Sequence, residues 1–94
     1  MTNREIELEI NRVRINFSER GINYGSNRDK IIIYMITDYL TNKNIEIFVD
    51  DIVKGTGLLR REVMAVQYYF ERHFPRVGYK FEYENDTFLL QRSF

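Results

Sequence analysis

Val49-Asp50-Asp51-Ile52-Val53-Lys54-Gly55-Thr56-Gly57-Leu58-Leu59-Arg60-Arg61-Glu62-Val63-Met64-Ala65-Val66 reads as two short helices hinged at Thr56-Gly57-Leu58. Gly57 supplies the hinge with a residue that enters positive φ without steric cost. Asp50 is placed to N-cap the first helix, its carboxylate accepting from the free amides of the opening turn. Ile52, Leu58, Val63 and Val66 fall where both helices and the turn share one apolar seam. Arg60 and Arg61 are left on the outer face, at the start of the second helix.

Downstream, the second helix is expected from about Leu59 to His73, with Leu59, Val63, Val66, Phe70 and Phe74 inward. Pro75 then blocks it, because the residue before a proline is biased out of helical geometry. Val77, Tyr79, Phe81 and Tyr83 alternate with Gly78, Lys80 and Glu82, Asn85-Asp86 makes a turn, and residues 87–91 return as a second strand. Upstream, Ile45 to Phe48 reads as a short strand. Before it, Ser26 and Asp29 open a helix that runs to about Thr41 and buries Ile32, Met35, Ile36, Tyr39 and Leu40, and Asn42-Lys43-Asn44 ends it. Gly21 to Ser26 is a loop.

Residues 4–18 support two readings. Ile6, Ile10, Val13 and Phe17 follow helical spacing, and Thr2 with Glu5 would form a capping box. The same stretch alternates as a hairpin about Asn11-Arg12, pairing Ile10 with Val13, Leu8 with Ile15 and Ile6 with Phe17. Asn-Arg is a poor type I′ turn, since its second position also wants positive φ, whereas the helix leaves Leu8 and Ile15 off its stripe.

The 94 residues suit one domain with a modest core. The longest apolar run, Ile31 to Ile36, has six residues, far short of the roughly 20 a membrane helix needs. There are no cysteines, so disulfides and thiolate chemistry are excluded. No signal-peptide core opens the chain, and a cytoplasmic location is expected by default. Richness in Ile, Asn, Tyr and Phe with few Ala and Pro points to an AT-rich coding source, such as a phage, another virus or a low-GC bacterium. Net charge is zero, but unevenly spread. Residues 59–80 carry five basic against two acidic side chains, while residues 45–58 and 81–94 each carry one basic against three acidic.

The order of elements from about Ser26 to Arg92 (helix, short strand, helix, turn, helix, hairpin) and the Thr56-Gly57-Leu58 hinge resemble the winged helix-turn-helix superfamily. Two positions depart from its pattern: Val53 stands where such motifs favour a small residue, and Leu59 where a polar cap is common. The resemblance implies an α+β fold with a winged-helix domain over residues 26–94, preceded by an extra helix or hairpin in residues 1–25. It also implies a small sequence-specific DNA-binding transcriptional regulator, plausible for a virus, with no cofactor. Arg60, Arg61, Met64, Gln67 and Tyr68 would read double-stranded DNA in the groove, with Arg76 and Lys80 on phosphate. A single near-neutral domain would hold one half-site weakly, so a homodimer is expected, with residues 1–25 as its contact.

A rival expectation follows from the charges. Glu82, Glu84 and Asp86 load the hairpin tip with acid and no base, which phosphate would repel. With Leu59 at the start of the recognition helix and Met64 and Tyr68 facing outward, that surface suits a protein partner such as a host transcription or defence complex. His73 is the sole histidine, better read as a cation at a helix C-terminus than as a metal ligand. Among the acids Glu46, Asp50 and Asp51, Asp50 is explained as a cap and Asp51 as a first-turn residue, and no nucleophile, base and acid arrangement or phosphate loop points to an enzyme.

Overall fold

Helix α1, Asn3–Ser18, opens the chain, and its start shows why helix prevails over hairpin. The Glu5 amide donates to Thr2 Oγ1 at 3.2 Å, and the Thr2 amide donates to Glu5 Oε1 at 3.2 Å, the reciprocal capping box. Val13 and Phe17 are fully buried, Ile6 and Ile10 pack beside them, and Leu8 and Ile15 stay outside, as the helical spacing requires. The coordinates are a computed structural model that describes residues 1–93; Phe94, the end of the expected 26–94 domain, lies outside the described residues.

The architecture is α+β. After α1 come α2 (Asn27–Asn42), β1 (Glu46–Phe48), α3 (Val49–Thr56), α4 (Arg60–Met64), α5 (Gln67–His73), a 3-10 turn (Phe74–Val77), β2 (Tyr79–Glu84) and β3 (Thr87–Arg92). The three strands form one antiparallel sheet in the order β1-β3-β2. Asn85 and Asp86 take φ of 50° and 57°, the doubly positive geometry of a two-residue hairpin turn, which sets Glu84 opposite Thr87. Ile47 then faces Phe88, and Phe81 faces Leu90, on the buried side. No helix among the described residues is long and apolar enough to cross a membrane.

One hydrophobic core unites the described residues. Phe17 from α1 meets Phe70 at 6.0 Å and Phe74 at 5.1 Å; Phe74 stacks on Phe81 at 5.7 Å, and Phe81 meets Phe88 at 5.1 Å. Such offset and edge contacts add to the area buried by each ring. The apolar stripe of α1 is thus spent on the core it shares with α5 and the hairpin.

Three local expectations are corrected. Asp50 does not cap α3: β1 runs straight into the helix, so Phe48 occupies the cap position without a side-chain bond, and the Val49 amide donates to Asp86 O at 3.0 Å. The helix expected over 59–73 is two helices, bent at Ala65-Val66, where the Val66 amide reaches Val63 O at 3.3 Å, one residue short of the α-helical partner. The bend lets α4 lie against α2 and α3 while α5 lies against β2. Leu59 is not inward but 51% exposed, because it is the extended cap residue of α4. A close approach between α2 and α3 is made at Gly55, two residues after Val53, where a Cβ would lie 2.1 Å from the Tyr34 ring.

Candidate functional site

The corner between α3 and α4 is built as its sequence implies. The Gly57 amide closes α3 on Val53 O at 2.9 Å with φ of 76°, a geometry costly for any residue with a Cβ. Thr56 Oγ1 donates to Ile52 O at 2.6 Å and accepts from the Leu58 amide at 3.2 Å, bridging the turn. Leu58 is buried beneath it. Leucine has no oxygen to cap α4, so the job falls to Glu62. Its Oε1 accepts from the Leu59 amide at 2.8 Å and its Oε2 from Asn27 Nδ2 at 2.8 Å. The Leu59 amide above all, then Asn27 and Arg61, hold the Glu62 carboxyl below the usual carboxylate range.

Arg60 stands at the start of α4 and reaches two acids. One Nη pairs with Asp50 and the other with Asp86 Oδ1 at 2.8 Å, while Tyr83 Oη donates to the same Asp86 oxygen at 3.0 Å. The hairpin tip is therefore not without a base, as the sequence suggested; it is folded back onto α3 and α4. Lys80 likewise pairs with Glu82 at 3.3 Å. Arg61 is exposed and makes no ion pair among the described residues.

The seven expected contact residues do not share one surface. Arg60 pairs with Asp86 at the hairpin tip, whereas Lys80 lies roughly 13 Å along the strand from Glu84 and Arg76 precedes that strand, at the hairpin root. Met64 is half-buried against the core, so it is not the outward residue expected. Gln67 is half-buried with Oε1 lacking a partner, and Tyr68 is 70% exposed.

Arg76 instead joins a group that sequence reasoning missed. The Arg28 guanidinium lies 4.0 Å from the Tyr69 ring centroid, and the His73 ring lies 4.1 Å from it. Tyr69 Oη donates to Arg20 O at 3.1 Å, and Arg20 Nη1 donates to Asn16 O at 3.1 Å. The surroundings of His73 disfavour the cation that the helix C-terminus alone would favour. Burial first, then Arg76, Arg20, Arg72 and Arg28, push its pKa below the ordinary 6.5. The spacing of Tyr69, Arg72, His73 and Arg76 at i, i+3, i+4 and i+7 was visible on one helical face. Arg20 and Arg28 were not, because only the turn between α1 and α2 brings them there.

Two polar anchors hold that turn and the hairpin root to α1. Arg14 Nε and Nη2 bind Asp29 Oδ1 and Oδ2 at 2.8 and 2.9 Å, and Asp29, 1% exposed, also accepts from the Gly25 amide at 2.8 Å. Glu9 takes Arg12 at 2.7 Å, Tyr79 Oη at 2.6 Å and Arg92 at 3.2 Å, and Arg12 Nη2 donates to Val77 O at 2.7 Å. Burial pushes the Glu9 carboxyl up, but Arg12, Tyr79 and Arg92 outweigh it and bring it to about 2. Separately, α2 and α3 flank an open groove of about 530 Å³ where Tyr34 covers Gly55. No three side chains capable of holding a metal gather among the described residues. Comparison with protein-family models, with curated proteins and with solved structures finds no match to this chain.

Proposed function

We propose that the chain is a winged helix-turn-helix protein that binds double-stranded DNA as a small sequence-specific transcriptional regulator. The observation that supports this most is topological. A short strand between α2 and α3 pairs with the returning strand of a C-terminal hairpin in the order β1-β3-β2, and a tight glycine turn separates α3 from α4. In that arrangement α4 is the recognition helix and Arg61 its free cation, with Tyr68 on the adjoining surface. Arg60 is engaged, but its partners Asp50 and Asp86 are 76% and 65% exposed. Exposed pairs contribute only about 0–1 kcal/mol, so a guanine edge or phosphate can displace them. Selection from a random duplex pool at low salt tests the reading: enrichment of one sequence, lost in an Arg60→Ala, Arg61→Ala double variant, is the expected result.

A homodimer on a two-fold site is the expected binding form, with Leu8 and Ile15 as the apolar residues that α1 leaves outside. Light scattering at micromolar concentration checks it, and a monomer would remove it.

The second reading, a winged-helix module that binds a protein, is favoured by Arg60 being neutralised by acids of this same chain and by exposed Ile45, Phe48, Leu59 and Tyr68. DNA binding should weaken steeply between low and physiological salt, whereas an aromatic interface should change little. Stoichiometric capture of one protein from a nuclease-treated host lysate, with no duplex enriched, would favour this second reading.

A further inference from the structure

We propose that Arg20, Arg28, Arg72 and Arg76, gathered around Tyr69 and His73, form a seat for the nucleic-acid phosphate backbone, separate from the contact made by α4. The proposal rests on the reading that the partner is nucleic acid.

Three elements supply the four arginines: the turn after α1, the first turn of α2, and α5 with the 3-10 turn that follows it. None of the four makes an ion pair with a carboxylate among the described residues, in a chain where Arg12, Arg14, Arg60 and Arg92 all do. Like charges gathered without ion-paired carboxylates repel one another, which an anion would relieve. The cluster is also organised. Tyr69 holds the Arg28 guanidinium over its ring and ties the Arg20 backbone by its hydroxyl, so neither position depends on the ligand. Two buried polar atoms at its centre, Arg20 Nε and His73 Nδ1, have no hydrogen-bond partner.

An extended polyanion fits better than a small ion, because the charges are spread over an open face and Arg72 and Arg76 are exposed. The face also continues toward α4. Asn27, beside Arg28, donates to Glu62, beside Arg61, at 2.8 Å, so one duplex can lie across both. Guanidinium groups suit phosphate because their donors form a planar fork.

His73 provides a built-in reporter, being the only histidine in the chain. The charged groups that act on it most are Arg20 from the turn after α1, Arg28 from α2, and Arg72 and Arg76 from its own segment. Phosphate among them would offset their field and raise the imidazole pKa.

The test uses the full chain with a labelled random-sequence duplex. Anisotropy is measured across a salt series for wild type, for Arg28→Gln, Arg72→Gln, Arg76→Gln together, and for Arg60→Ala, Arg61→Ala together. The glutamine triple variant should bind at least about tenfold more weakly at low salt and flatten the slope of log K against log salt by about two to three, at roughly 0.9 per phosphate contact. In wild type the His73 ring resonance should titrate at higher pH once duplex is added, a readout that needs no variant to fold. An unchanged slope in the triple variant, or a His73 titration indifferent to duplex, overturns the proposal. The outcomes separate the two ideas. Sequence selection that survives the triple variant unchanged in affinity refutes the arginine seat and keeps the regulator. Backbone binding that needs the triple arginines but prefers no sequence does the reverse.

Discussion

Arg14 and Arg60 each hold aspartate, yet they belong to two very different ends of the molecule. Around Arg14 the partner is buried: Asp29 is 1% exposed, takes both guanidinium donors and a backbone amide, and sits under the packed turn between α1 and α2. Around Arg60 the partners stand in water at the hairpin tip. Breaking a buried pair strands a charge and costs several kcal/mol, whereas exposed pairs are screened and readily exchanged. The buried pairs therefore build a platform, and the exposed ones leave Arg60 available to a ligand. A third set, Arg20, Arg28, Arg72 and Arg76, makes no ion pair among the described residues; Arg20 and Arg28 are half-buried and Arg72 and Arg76 exposed.

The sharpest way to break this comparison is Phe17→Ala. The ring joins α1 to Phe70 and Phe74, so its loss should cost about 3–5 kcal/mol in a urea melt. A loss below about 1 kcal/mol would make α1 a detachable extension, and the platform under Arg20 with it. Next is Asp29→Ala, which leaves Arg14 partly buried without its acid and should cost about 3 kcal/mol.

Glu9 sharpens the comparison through pH. Its carboxyl titrates at about 2 in the folded chain against 4.5 when unperturbed, so the unfolded state takes up the proton first. Its contribution is fully present above about pH 4.5 and is lost as pH falls toward 2, on the order of 2 kcal/mol. Glu9→Gln should flatten that acid limb in melts followed from neutral to low pH; an unchanged limb would place the acid sensitivity elsewhere. The smallest effect belongs to the tip. Arg60→Ala should change stability by less than about 1 kcal/mol, with a difference that shrinks further as salt is added. A larger loss would mean that the tip is clamped as firmly as the platform.

Legibility in the sequence divides along the same line. Local signals were enough for the Gly57 turn, the Ser26 and Thr2 caps, the presence of a turn at Asn85-Asp86 and the alternation that registers the hairpin. Each depends on residues within three or four positions. The bend at Ala65-Val66 was hidden, because Val63, Val66, Phe70 and Phe74 keep a helical stripe through it and only the competing partners of α4 and α5 call for the change of axis. Charge pairing was hidden more deeply. Asp86 lies 26 positions from Arg60, and Arg20 lies 49 from Tyr69, so no spacing rule connects them. For the candidate site this means that residue type was legible and grouping was not: Arg60 and Arg76 were singled out together and lie at opposite ends of the hairpin.

The most direct test of the account is a map of backbone amide shifts as unlabelled duplex is added to the full chain. The account predicts changes at Arg60 and Arg61 together with Arg20, Arg28, Tyr69, Arg72, His73, Phe74 and Arg76, and none at Glu46 or Glu82. Shifts confined to the surface of Ile45, Phe48 and the outer strand, or no shifts at low salt, would contradict it.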